Sequence, residues 1–171
     1  RRLHIACGIS HKPKLIIMDE PTVGIDPQSR NNILEGIKKL NQQGATIIYT
    51  SHYMEEVEQL CDYILIIDRG KTIAEGSKEK LKAMISLGEI IEIELEDIKK
   101  STVEVIKNLN NVISVEVKNK LLVVKSGKGK TNIPEVLKIL NENNQEYKKI
   151  YSELPTLNDV FLELTGKELR D

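Results

Sequence analysis

Leu15-Ile16-Ile17-Met18-Asp19-Glu20-Pro21 is the stretch on which the fold turns: four apolar residues run straight into two adjacent acids, and a proline stops the pattern. A continuous apolar run closed by a breaker reads as a buried strand, of the kind found in a parallel sheet covered on both faces. Acids at the C-terminal tip of such a strand stand where open α/β sheets bind their ligands. Two adjacent carboxylates also repel, so the pair calls for a cation or a proton nearby. A magnesium-nucleotide site meets that need, with Asp19 holding the metal and Glu20 orienting or deprotonating a water. Taken alone, the two acids serve equally well as caps for the helix that follows, since short motifs of this kind recur by chance.

The residues downstream add to the pattern. Thr22-Val23-Gly24-Ile25-Asp26-Pro27 reads as a tight loop, with Asp26 as N-cap and Pro27 at the first helical position. An amphipathic helix is expected over Pro27 to Gln43, with Ile33, Ile37 and Leu40 on one face and Gly44 just past its end. Ala45 to Ser51 reads as a second buried strand, and His52 follows it directly. Three elements thus deliver Asp19, Glu20, Asp26 and His52 to one edge of a sheet. A lone histidine is more often structural or solvent-facing than catalytic; its place at a strand tip sets His52 apart. His4 and His11 are expected on or near the surface of the first helix.

LIIMDEP, TVGIDP and the strand TIIYTSH, in that order and spacing, resemble the Walker B strand, D-loop and switch histidine of an ABC-transporter ATPase. The D-loop carries Ile25 where leucine is usual, a conservative change. The resemblance implies ATP and Mg2+ as cofactors, Asp19 as a magnesium residue, Glu20 as the activator of the attacking water, His52 against the γ-phosphate, and Asp26 communicating across a dimer. It places the start of this chain just past the Leu-Ser-Gly-Gly signature, and the chain reads as the C-terminal part of something longer.

Bulk properties narrow the classes. With 171 residues the chain suffices for one ordinary domain or two small ones. Lys and Arg number 25 against 26 Asp and Glu, so no net field draws it to nucleic acid or lipid. Cys7 and Cys61 fit neither a metal spacing nor a disulfide framework, which favours a reducing, cytosolic compartment. No apolar stretch approaches the roughly 20 residues of a membrane span.

A mostly buried helix is expected from Arg1 to His11, ended by Pro13. A helix over Tyr53 to Asp62, with an acidic first turn (Glu55, Glu56), leads to a third apolar strand at Tyr63 to Asp68 and a short antiparallel edge at Thr72 to Glu75. Strand, helix, strand, helix, strand is the order of βαβ units on a parallel sheet. Gly70-Lys71-Thr72 and Gly129-Lys130-Thr131 are not phosphate-binding loops. Such a loop needs a glycine five residues earlier, and Leu65 and Val124 stand there. This chain therefore holds no Walker A loop, no Q-loop glutamine and no aromatic to stack on adenine.

Beyond Gly88 the pattern changes. Glu89 to Glu96 alternates as a strand, Thr102 to Leu109 is helical, and Ile113 to Lys118 and Leu121 to Lys125 flank a tight turn at Asn119. Ile133 to Asn143 is helical and Glu146 to Ser152 a last strand, so the order is the β-α-β-β-α-β of ferredoxin-like domains. A final helix follows from Leu154 to Gly166, with Thr156 able to cap it. The tail and the small domain resemble the C-terminal extension of daunorubicin-resistance-type ABC ATPases, which energise drug export through a separate membrane permease.

The expectation is an α/β chain: the C-terminal part of a P-loop-type parallel sheet with flanking helices over 1–88, then a small α+β ferredoxin-like accessory domain over 89–171. The resemblance implies a subunit that binds and hydrolyses ATP, dimerises with its own kind and serves a membrane permease from the cytoplasmic inner face, without entering the membrane or binding nucleic acid. The present chain alone is expected to be inactive. A regulatory or dimerisation module over 89–171 beside an inactive ATPase remnant is the alternative. A soluble ABC ATPase of translation or DNA repair is a third, against which the even charge balance counts.

Overall fold

In β1 (Leu15–Asp19) alternate side chains are buried, with Ile16 and Met18 inward and Leu15 and Ile17 outward. The computed structural model in which this is seen describes residues 2–166, so Arg1 and 167–171 lie outside the described residues. The chain divides into two units: one runs to Leu81 and resumes at Phe161, and the other is Lys82–Val160. The expected boundary after Gly88 falls inside the second unit, within a strand.

In the first unit, α1 (Arg2–Ile9) precedes β1, and α2 (Pro27–Gln42) leads to β2 (Thr46–Thr50). β1 and β2 pair in parallel, from Leu15 opposite Thr46 to Asp19 opposite Thr50. Their inner face packs on Ile33 and Ile37 of α2, with Ile5 and Ile9 of α1 beside them. The α1 helix is more exposed than its composition suggests, for Leu3, Ala6 and Cys7 face outward. The expectation of a strand covered on both faces is likewise corrected: Ile17 is 68% exposed.

α3 (Met54–Leu60), β3 (Ile64–Asp68), β4 (Lys71–Gly76) and the first half of α4 (Lys78–Met84) complete the run. β3 does not join β1 and β2 in a three-stranded sheet. It hydrogen-bonds to β4, antiparallel, through a turn in which both Arg69 (φ 49) and Gly70 (φ 72) are left-handed. Two positive φ values define the turn whose twist suits a hairpin. A groove of about 860 Å³ lies between β2 and β3 and is lined by residues of both strands.

The second unit holds β5 (Leu87–Leu95), α5 (Lys100–Lys107), β6 (Val112–Lys118), β7 (Leu121–Gly127), α6 (Ile133–Glu142) and β8 (Tyr147–Glu153), followed by the start of α7 (Leu157–Thr165). The strands form one antiparallel sheet in the order β6-β7-β5-β8. Its core joins Ile91, Ile93 and Leu95 of β5 and Leu122 and Val124 of β7 to Val103 and Ile106 of α5 and Val136, Ile139 and Leu140 of α6. Asn119 takes φ 56 in the β6–β7 turn, as the sequence predicts. Thr156 and Asp159 cap α7 reciprocally: Thr156 Oγ1 accepts from Asp159 N (3.3 Å), and Asp159 Oδ2 accepts from Thr156 N (2.8 Å).

Candidate functional site

Parallel pairing brings the C-terminal tips of β1 and β2 side by side, and Thr50 stitches them. Its backbone oxygen and its hydroxyl both accept from Glu20 N, at 3.1 and 3.2 Å. The same hydroxyl donates to Asp19 Oδ1 at 2.5 Å. Asp19 is exposed and Glu20 half-buried. At Glu20 the strand breaks, with φ 44, a left-handed value that a side chain bearing a Cβ adopts at a cost of about 1–3 kcal/mol. Such strain collects where surrounding contacts over-determine the backbone, and here the two bonds from Glu20 N to Thr50 do so.

His52 lies just beyond the tip of β2, and its Nδ1 stands 2.8 Å from Glu20 Oε1. An ionised carboxylate only accepts, so in that form of the pair a proton sits on Nδ1. The other oxygen of Glu20, Oε2, is buried with no hydrogen-bond partner among the described residues. A buried carboxylate oxygen without a donor is costly unless a water or cation supplies one. The His52 ring is tilted 38° against Tyr53, with 4.3 Å between centroids.

Asp26 is engaged at the head of α2. Its Oδ1 accepts from Ser29 N at 2.9 Å, and this bond holds the carboxyl below its ordinary range. The residues proposed from sequence therefore fall into two groups. Glu20 and His52 touch, with Asp19 one bond away through Thr50; Asp26 serves visibly as a cap. His4 and His11 are exposed. No cluster of three or more metal-ligating side chains exists among the described residues.

Glu56 escapes the sequence reading, in which it merely suits the α3 dipole. In the structure it is 3% exposed. Its Oε2 accepts from Thr22 Oγ1 (2.8 Å), Tyr49 OH (2.5 Å) and Ser51 Oγ (3.1 Å). Arg30 Nε stands 3.4 Å from Oε1, near enough to pair charges although neither atom makes a hydrogen bond. Burial, and then the bond to Glu56, push the Tyr49 phenol well above its ordinary pKa. One signal was available: Tyr53, Glu56, Val57 and Leu60 share a helical face, so Glu56 occupies an apolar stripe.

The profile described as "ATP-binding protein DrrA1-3-like, C-terminal domain" matches residues 76–165, more than half of the chain. The chain belongs to this family. Similar proteins include the linearmycin resistance ATP-binding protein LnrL of Bacillus subtilis, 43% identical over all of this chain and 56% of that protein. The daunorubicin resistance ATP-binding protein DrrA3 of Streptomyces coeruleorubidus is 32% identical over 99% of this chain and 54% of its own length. The Nod factor export ATP-binding protein I of Cupriavidus pinatubonensis is 35% identical over all of this chain and 50% of its own. This DrrA1-3-like chain thus spans about half the length of the curated relatives it matches. A solved ATP-binding subunit of an ABC transporter superimposes over 48% of this chain and 35% of that one, at 29% identity and a TM-score of 0.46, which is too low to bear on the fold. Among the described residues no helix is long and apolar enough to cross a membrane.

Proposed function

We propose that this chain is the C-terminal part of the ATP-binding, ATP-hydrolysing subunit of an ABC exporter. The observation that supports it most is the Glu20–His52 hydrogen bond at the tips of two parallel strands, beside Asp19. The roles are those that the resemblance to ABC ATPases implies. Asp19, exposed and oriented by Thr50, holds Mg2+ directly or through water; Glu20 accepts a proton from the attacking water; His52 faces the γ-phosphate. Asp26, at the head of α2, communicates across a head-to-tail homodimer of the intact subunit. The donor set fits magnesium, which takes one or two carboxylates and leaves its remaining positions to waters and phosphates. Magnesium, when bound, neutralises charge that develops on the phosphates.

On this reading 1–88 belongs to a P-loop-type parallel sheet, a view supported by the parallel β1–β2 pair. The ferredoxin-like accessory domain expected over 89–171 corresponds to the unit Lys82–Val160, whose sheet order β6-β7-β5-β8 with α5 and α6 on one face favours that fold. The intact subunit would sit on the cytoplasmic inner face of the membrane against a permease. The names of the relatives, resistance and Nod factor export, favour transport over translation or repair. The chain alone, without a loop to cradle a triphosphate, is inactive.

The test is Glu20→Gln in the intact subunit. Nucleotide binding is retained and turnover falls by about 10²–10⁴-fold, the usual worth of a positioned base. Unchanged turnover would remove Glu20 from this role.

A further inference from the structure

We propose that Glu56 is the positioning residue of the site: a buried carboxylate that ties the loop after Glu20 to the segment before His52 and so holds the Glu20–His52 pair in register. Its functional meaning rests on the reading of that pair given above; its geometry does not.

The connections are short and few. Glu20 and Thr22 are separated by one residue, and Thr22, wholly buried, gives its hydroxyl to Glu56. Ser51 immediately precedes His52 and gives its hydroxyl to the same oxygen. Ser51 Oγ in turn accepts from Tyr53 N at 3.0 Å, which fixes the turn on which His52 stands. The arms of Glu56 therefore reach both members of the pair from behind, one through each strand tip. The position is self-consistent in charge as well. Arg30 lies over the Tyr53 ring at 4.5 Å, faces Glu56 Oε1, and belongs to α2. Glu56 thus joins the segment after β1, the end of β2, α2 and its own α3.

Three hydroxyls converging on one buried oxygen exceed what anchoring α3 requires. A helix of 7 residues with Val57 buried beside it could be held by apolar packing alone. Two of the three hydroxyls belong instead to residues flanking the site. The third, Tyr49, is the internal control: it lies within the β2 ladder, opposite Met18, and adds nothing to either loop.

The readout is the NMR signal of the His52 Nδ1 proton in its hydrogen bond to Glu20, recorded on this chain without nucleotide. Thr22→Val and Ser51→Ala each remove one arm while preserving shape, and each is expected to abolish or strongly weaken the signal with the fold retained by circular dichroism. Thr22→Ser and Ser51→Thr keep the hydroxyl and restore it. Tyr49→Phe deletes the shortest of the three bonds and leaves the signal in place. Survival of the signal in both Thr22→Val and Ser51→Ala overturns the proposal, as does equal loss in Tyr49→Phe, which would mark Glu56 as a general structural anchor. Because no turnover is measured, a failed ATPase reading and a failed positioning role produce different results.

Discussion

Glu20 and Asp26 illustrate two uses of a carboxylate beside a strand tip. Glu20 sits at φ 44 with one oxygen on His52 and the other unpartnered. Asp26 is spent on the backbone of Ser29. Because the folded pKa of Asp26 is depressed, its contribution is present above the unfolded pKa and is lost as pH falls through the folded value. Acidification in that window should loosen the first turn of α2, visible in the amide shifts of Gln28 to Arg30. Asp26→Asn keeps an acceptor but removes the titration, so the pH dependence should vanish. Both acids are legible in the sequence, Glu20 from its place after an apolar run and before Pro21, Asp26 from its N-cap place before Pro27. Glu56 shows only as an acid on the apolar stripe of α3; its partners, hydroxyls 34, 7 and 5 residues away in the chain, no local pattern reveals.

For elements, the helices and strands were legible where a period or a turn residue spoke for them. The stripe Ile33–Ile37–Leu40, the Pro27 start and Gly44 (φ 98) all hold. Ile37→Ala should cost about 2–5 kcal/mol, read as a lower urea midpoint with unchanged slope. The antiparallel edge after β3 was legible from its turn, but that β3 stands apart from β1 and β2 was not, since an apolar run says that a strand is buried and not which sheet it joins. Its pairing follows from Arg69-Gly70, whose left-handed angles close a hairpin onto β4. Gly70→Ala has space around it but must hold φ 72, so it should destabilise by about 1–2 kcal/mol. A thermal melt of the variant measures it.

At the scale of the whole molecule, the first unit displays apolar side chains that a finished sheet would cover: Ile17 at 68%, Ile67 at 59% and Leu15 at 53% exposure. Exposed apolar strand faces drive association. Sedimentation of the chain should show concentration-dependent self-association, reduced by Ile17→Lys combined with Ile67→Lys. Titration calorimetry should find no micromolar Mg-ATP binding by the chain alone; a clear micromolar isotherm would contradict its expected inactivity. The second unit is anchored differently, for β5 lies between β7 and β8 and carries three side chains with no exposure at all, Ile91, Ile93 and Leu95. Deuterium should therefore enter the molecule unevenly. The two ribbons, β1–β2 and β3–β4, each have a rim with no neighbouring chain bonded to it among the described residues, and their amides should trade first. Those of β5, bonded on both flanks, should be the last to surrender their protons, so that the half bearing the strand-tip acids breathes while the other half keeps time.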